Sequence, residues 1–216
     1  MMAITHALVG LLLAAPVALV APEFASAAAA GAIVGGVAPD LDLFVGVHRK
    51  TLHYPVAGPL VGVVAGVVAV VAPAPATVAI ALAVLSAGVH ATTDIFGAGE
   101  ELRPWERTNP YAVYDHVNDR WLRARYLVPY DGAPRDLLVT LLCAVPVALT
   151  FRGQFRWLLA GLLLVAVVYT SVQHRLVQHC EAMLESLPNT QLGRYSPVVS
   201  GQARRSARVR EDAKTR

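Results

Sequence analysis

The sequence predicts an all-α, polytopic membrane protein of about six transmembrane helices, with a polar metal-site cluster gathered at the cytoplasmic face. Three observations predict it. Hydrophobic residues make up 56% of the 216 residues and charged ones only 15%, whereas a soluble domain carries about a quarter charged residues. The charges crowd into a few segments and leave long uncharged runs of bilayer-spanning length, at a mean hydropathy of +0.52. Against that background, the stretch from Pro39 to Tyr54 packs two carboxylates, two imidazoles and two cations together.

The apolar segments are 4–20, 22–38, 56–72, 76–97, 134–151 and 155–173. Strands of a membrane barrel are shorter and alternate in polarity, so these are helices. Pro16, Pro59 and Pro146 each remove a backbone donor and are expected to kink theirs. Gly31 and Gly35 stand four apart, as do Gly62 and Gly66, a spacing that suits close helix contact. The first segment resembles a signal peptide, with Ala25-Ser26-Ala27 as a small-residue cleavage site. No Lys or Arg precedes it, so it reads as a retained helix. Cys143 and Cys180 fit neither a disulfide framework nor a zinc-finger spacing and are expected as buried thiols.

The turns at Pro22-Glu23, at Pro73-Ala74-Pro75 and around Gln154 are short, while loops 39–55 and 98–133 are long and polar. Residues 1–173 therefore form one helical membrane domain that includes both loops, and 174–216 form a basic, largely disordered tail. An even number of helices places both termini, both long loops and the tail on one face. That face holds sixteen of the eighteen Lys and Arg residues, and Arg152 and Arg156 hold the other. The positive-inside rule makes the polar face cytoplasmic, in a multi-pass protein of the cell membrane. Basic residues of the tail are placed to rest on anionic lipid headgroups.

Several polar groups fall on this face. His6 opens the first helix. His90 and Asp94, four apart, stack on one face of the fourth. Imidazole and carboxylate are costly inside a membrane helix unless they meet a cavity or a partner, which makes them functional candidates or a helix-stitching hydrogen bond. Asp115 and His116 sit in a loop, where solvation alone explains them. His174 and His179 follow the sixth helix and read as structural. Asp and His together suit Zn²⁺ or Mn²⁺.

The motifs Thr5-His6, Pro39-Asp40-Leu41-Asp42, His48-Arg49-Lys50-Thr51-Leu52-His53 and His90-Ala91-Thr92-Thr93-Asp94 resemble, in this order, those of the YdjM-like family. Its members are described as membrane-bound, predicted metal-dependent hydrolases, some as LexA-binding inner-membrane proteins. Glu101 to Glu106 and Val113 to His116 resemble archaeal members in particular. The resemblance covers about residues 3–136. Lys50 departs from the pattern, where a small residue is usual.

The resemblance implies a metal-dependent hydrolase, with His6, Asp42, His48, His53, His90 and Asp94 as metal ligands. These are too many for one tetrahedral ion, so two ions, or one ion with supporting partners, are expected. Zn²⁺ is the expected ion and Mn²⁺ the alternative. Asp40 is expected as general base or as a carboxylate orienting a histidine. Arg49 is expected to bind an anionic substrate group, a phosphoester or lipid-like compound at the membrane surface. Membrane lipids are expected partners and nucleic acid is not. Two other readings are a membrane protein that binds or moves a metal ion, and an adaptor with a structural metal. Ligands gathered at one surface, rather than at the bilayer midplane, favour the enzyme.

Overall fold

A computed structural model describes residues 1–101 and 103–186. The basic tail from 187 onward, with Arg194 and the cations from Arg204 to Arg216, lies outside the described residues.

The chain is mainly helical. The six helices are α1 (Ala3–Val20), α2 (Ala25–Val37), α3 (Ala57–Val71), α4 (Pro75–Thr93), α5 (Pro134–Thr150) and α6 (Gln154–Ser186). Among the described residues, four segments are long and apolar enough to cross a membrane: Ala3–Val20, Pro22–Leu43, Pro75–Phe96 and Gln154–Met183. α3, at 15 residues, and α5, at 17, are shorter. Proline stands inside α1 and α5 at Pro16 and Pro146. Pro59 instead falls in the first turn of α3, where a backbone N–H has no helical acceptor to lose.

α1, α2 and α4 form the inner layer, and small residues let them approach. Gly31 and Gly35 of α2 lie directly against the backbone of Ala79 and Ala83 on α4, with no room for a Cβ. Gly58 of α3 meets Gly88 of α4 in the same way, and Gly62 meets Leu85. Gly66 faces open space, so only the first of its pair makes a helix contact. The apolar core is accordingly rich in alanine: Ala14, Ala28, Ala29 and Ala32 are fully buried beside Leu8 and Leu11. Ser86 donates to the Ala32 carbonyl across α2 and α4, at 2.8 Å.

The polar loop 98–133 departs from an all-α chain. It carries an antiparallel hairpin of β1 (Tyr111–Asp115) and β2 (Arg120–Arg123), irregular between Tyr111 and Val113. Asp115 accepts hydrogen bonds from the Val117 and Asn118 backbone and from the Asn118 amide, and so shapes the hairpin turn. α6 continues beyond 173, where a tail was expected, as far as Ser186. Its extension carries His174, which packs on Trp105, and Glu181, which pairs with Arg103 at 2.6 Å. Cys180 is exposed on this extension and Cys143 is half-buried, so neither is the fully buried thiol that was expected.

Candidate metal centre

Four elements bring their polar residues to one end of the inner layer. His6 sits in the second turn of α1, and His90 in the last turn of α4, with Asp94 just after it. α2 ends in a 3₁₀ turn, Ala38–Leu43, that carries Asp40 and Asp42. The following loop supplies His48, Arg49 and His53. Within this set His6, Asp42, His53, His90 and Asp94 are buried. Buried groups of this kind need partners.

The hydrogen bonds fix which imidazole nitrogen carries the proton. An ionised carboxylate only accepts. Asp42 takes His48 Nδ1–H on Oδ1 at 2.7 Å and His53 Nδ1–H on Oδ2 at 2.9 Å. His90 Nδ1–H donates to the Gly36 carbonyl at 2.7 Å. His6 has partners on both nitrogens, the Thr93 hydroxyl 3.3 Å from Nδ1 and Asp94 Oδ1 3.1 Å from Nε2, so its tautomer is not fixed in the same way. The Nε2 atoms of His48, His53 and His90 are therefore left with their lone pairs, the form in which histidine ligates metal.

Those lone pairs face carboxylate oxygens. His53 Nε2 and His90 Nε2 are 3.3 and 3.5 Å from Asp94 Oδ2, while His6 Nε2 hydrogen-bonds Asp94 Oδ1 at 3.1 Å. Asp40 Oδ1 lies 3.3 Å from His90 Nε2 and 3.9 Å from His53 Nε2. Acceptors that face acceptors repel unless a cation lies between them. The Nε2 atoms of His53 and His90 are buried without a hydrogen-bond partner. Leaving such an atom unsatisfied costs about 1–3 kcal/mol. The donor set therefore fits a divalent ion: His6, His90 and Asp94 form one group able to hold it, and Asp40, His48 and His53 form another. A proton is the other cation the site can take. Burial disfavours a charged His53, yet its Nδ1–H bond to Asp42 and the Asp94 carboxylate facing its Nε2 outweigh this and hold its pKa above the usual imidazole value.

The two aspartates of the Pro-Asp-x-Asp turn stand in different places. Both oxygens of Asp42 are occupied by His48, His53 and the Leu52 amide. It thus stands behind the histidines as their orienting carboxylate, although the sequence pattern made it a ligand. Asp40, expected as a base, sits in the ligand group itself. Arg49 is 5% exposed and has a left-handed backbone, φ 60°. This is an uncommon conformation for a non-glycine residue and marks a position held by its surroundings. Its guanidinium donates to the Ala98 and Ala112 carbonyls and lies 3.8 Å from Asp131, while its Nε is unpaired.

The hairpin braces the loop. Tyr114 N–H donates to the Arg49 carbonyl at 2.9 Å, and His116 Nε2–H donates to the Lys50 carbonyl at 2.7 Å. His116 stacks on Tyr54. Asp115 and His116 thus support the site from outside the ligand groups.

Two aspartates escaped the sequence reading. Asp131 pairs with the Met1 ammonium at 2.9 Å, and that ammonium also reaches Asp94 at 3.1 Å. Asp136, fully buried, accepts from the Thr5 hydroxyl at 2.7 Å and the Met2 amide at 2.8 Å, which fixes the start of α1 beside His6. The available signal was a carboxylate in the first turn of an otherwise apolar helix, where it also suits the helix dipole.

No family model, curated protein or solved structure matches this chain.

Proposed function

We propose that the protein is a membrane-bound, metal-dependent hydrolase of the YdjM-like type, with six spans, both termini cytoplasmic and its centre at the cytoplasmic surface of the cell membrane. The convergence of unpaired, buried imidazole lone pairs on Asp94 and Asp40 carries the reading. His6, His53, His90, Asp94 and Asp40 would hold the ion, with His48 completing the second group. Zn²⁺ suits these nitrogen and carboxylate donors, and Mn²⁺ is the alternative. The bound ion supplies Lewis acidity and makes water nucleophilic near neutral pH.

The chain's own residues do the rest. Asp42 holds His48 and His53 with Nε2 forward. Arg49 places a fixed positive charge beside the centre, and its unpaired Nε gives it capacity for a phosphoester oxygen. The carboxylate oxygens of Asp40 and Asp94 not used in ligation can accept a proton from attacking water.

The test joins two measurements on one detergent-purified sample: metal content, and hydrolysis of para-nitrophenyl phosphate with and without chelator. Bound metal with chelator-sensitive turnover is expected. Bound metal without turnover on any ester tried would instead favour a non-catalytic metal-binding protein, and absence of metal would overturn the reading.

A further inference from the structure

Next to the centre lies a cavity of about 280 Å³ whose lining mixes Asp40, Asp94, Asp131, His48 and Arg49 with the apolar Leu43, Ile4 and Val165. Leu43 is 59% exposed and Val165 is 55% exposed while both form its wall, so the apolar lining reaches the surface. α6 is covered more sparsely than the other span-length segments, with only 11% of its apolar window buried inside the protein. In a membrane, that surface faces acyl chains. Val165 and Tyr169 stand about 9–15 Å along the helix before Arg175, inside the uncharged stretch that begins after Arg156.

We propose that the substrate of this centre is a lipid phosphoester. Arg49 and the residues that would hold the metal take its phosphate, and its acyl chain leaves past Leu43 and Val165. The proposal rests on the hydrolase reading above and adds the substrate class to it. Charge in the cavity lining supports the order of assembly. Three carboxylates there stand against one guanidinium and the Met1 ammonium, so a phosphate is repelled until a divalent cation is present. Shape supports the chain: a water-soluble phosphoester has no use for an apolar wall that opens into lipid. In the reaction, water adds to phosphorus, the bond from phosphorus to the leaving oxygen breaks, and the proton of water passes to that oxygen.

The experiment uses the full chain in nanodiscs containing phosphatidate with a diazirine-bearing acyl chain. After irradiation, labelled peptides are mapped with and without Zn²⁺. Labelling concentrated at Val165 to Tyr169 and at Met2 to Ile4, dependent on Zn²⁺ and lost in Val165→Trp, is expected. Val165 faces lipid, so the variant should fold, and its unchanged metal content checks this. Equal labelling of α3 at Val63 and Val67, which are as exposed as Val165, or labelling indifferent to Val165→Trp, would overturn the proposal. Turnover separates the two readings. Val165→Trp should lower hydrolysis of phosphatidate by at least about tenfold more than that of para-nitrophenyl phosphate, a discrimination of about 1.4 kcal/mol. Site-specific labelling without any hydrolysis would sink the hydrolase and leave the lipid site standing. Hydrolysis of the soluble ester without site-specific labelling would do the reverse.

Discussion

α1 is uncharged throughout and α6 is uncharged between Arg156 and Arg175, and both are long enough to cross a bilayer, yet 44% of the apolar window of the first is buried inside the protein and 11% of that of the second. α1 carries Gly10, pressed against Ala32 and Ser86, and its Thr5 and His6 bond to α5 and to Asp94. α6 presents Trp157, Leu164 and Val165 outward, and its Gly161 meets nothing. Apolar content therefore does not tell an inner helix from an outer one. Small residues that admit a neighbour's backbone, and polar groups that need a partner, do.

The strongest test of that contrast removes polar groups from each layer. Asp94→Asn and His90→Gln keep size and hydrogen-bonding capacity but offer poorer ligands. Both are expected to lose bound metal and activity with little loss of thermal stability in detergent. His53→Ala and His48→Ala are expected to lose metal as well, His53→Ala the more completely. His174→Gln and His179→Gln on α6 should keep metal at the wild-type level. Wild-type metal with lowered stability in the α4 variants would make His90 and Asp94 a helix-stitching pair and remove α4 from the site.

A smaller loss is expected behind the histidines. Asp42→Asn should weaken metal binding by about 10–100-fold, the usual effect of losing an orienting carboxylate, measured by competition with a chelator of known affinity. Loss as complete as in Asp94→Asn would mean that Asp42 is itself a ligand.

Acidity should act through the same atoms. His53 without metal holds its proton more tightly than an ordinary imidazole, so the ion must displace that proton to bind. Apparent affinity should therefore rise with pH through the neutral range and fall as pH drops, with protons released on binding. Titration calorimetry in buffers of different ionisation enthalpy counts those protons. A count of zero would mean that His53 is not displaced.

The smallest effects contrast the two glycine environments. Gly35→Ala forces a methyl onto the Ala83 backbone and should destabilise by about 1–3 kcal/mol. Gly161→Ala, on α6, enters open space and should stabilise by about 0.5–1 kcal/mol through helix propensity. Melting in detergent reads both. The same sign for both would erase the distinction between inner and outer helix.

The amino-acid sequence by itself determined the helices, because long uncharged runs have no other way to satisfy their backbone in lipid. It also marked His6, Asp42, His48, His53, His90 and Asp94 as ligands with Asp40 beside them, because polar groups in such surroundings are costly and therefore few. The close contact of α2 with α4 was legible in Gly31 and Gly35. The equal spacing of Gly62 and Gly66 overstated the same contact in α3, because spacing does not say which face meets a neighbour. Only the tertiary structure decided what each carboxylate touches. Asp40 and Asp42 are two residues apart and chemically alike, yet the turn after α2 aims one at the ligand atoms and the other at the Nδ1 protons behind them. Asp131 and Asp136 join the centre through contacts that span more than a hundred residues, and the hairpin props the loop from a segment with no apolar run to announce it. Which side of α6 stays uncovered likewise depends on what the rest of the chain leaves beside it. Local chemistry is written in neighbouring residues, whereas lone-pair direction and coverage depend on partners that are distant in sequence.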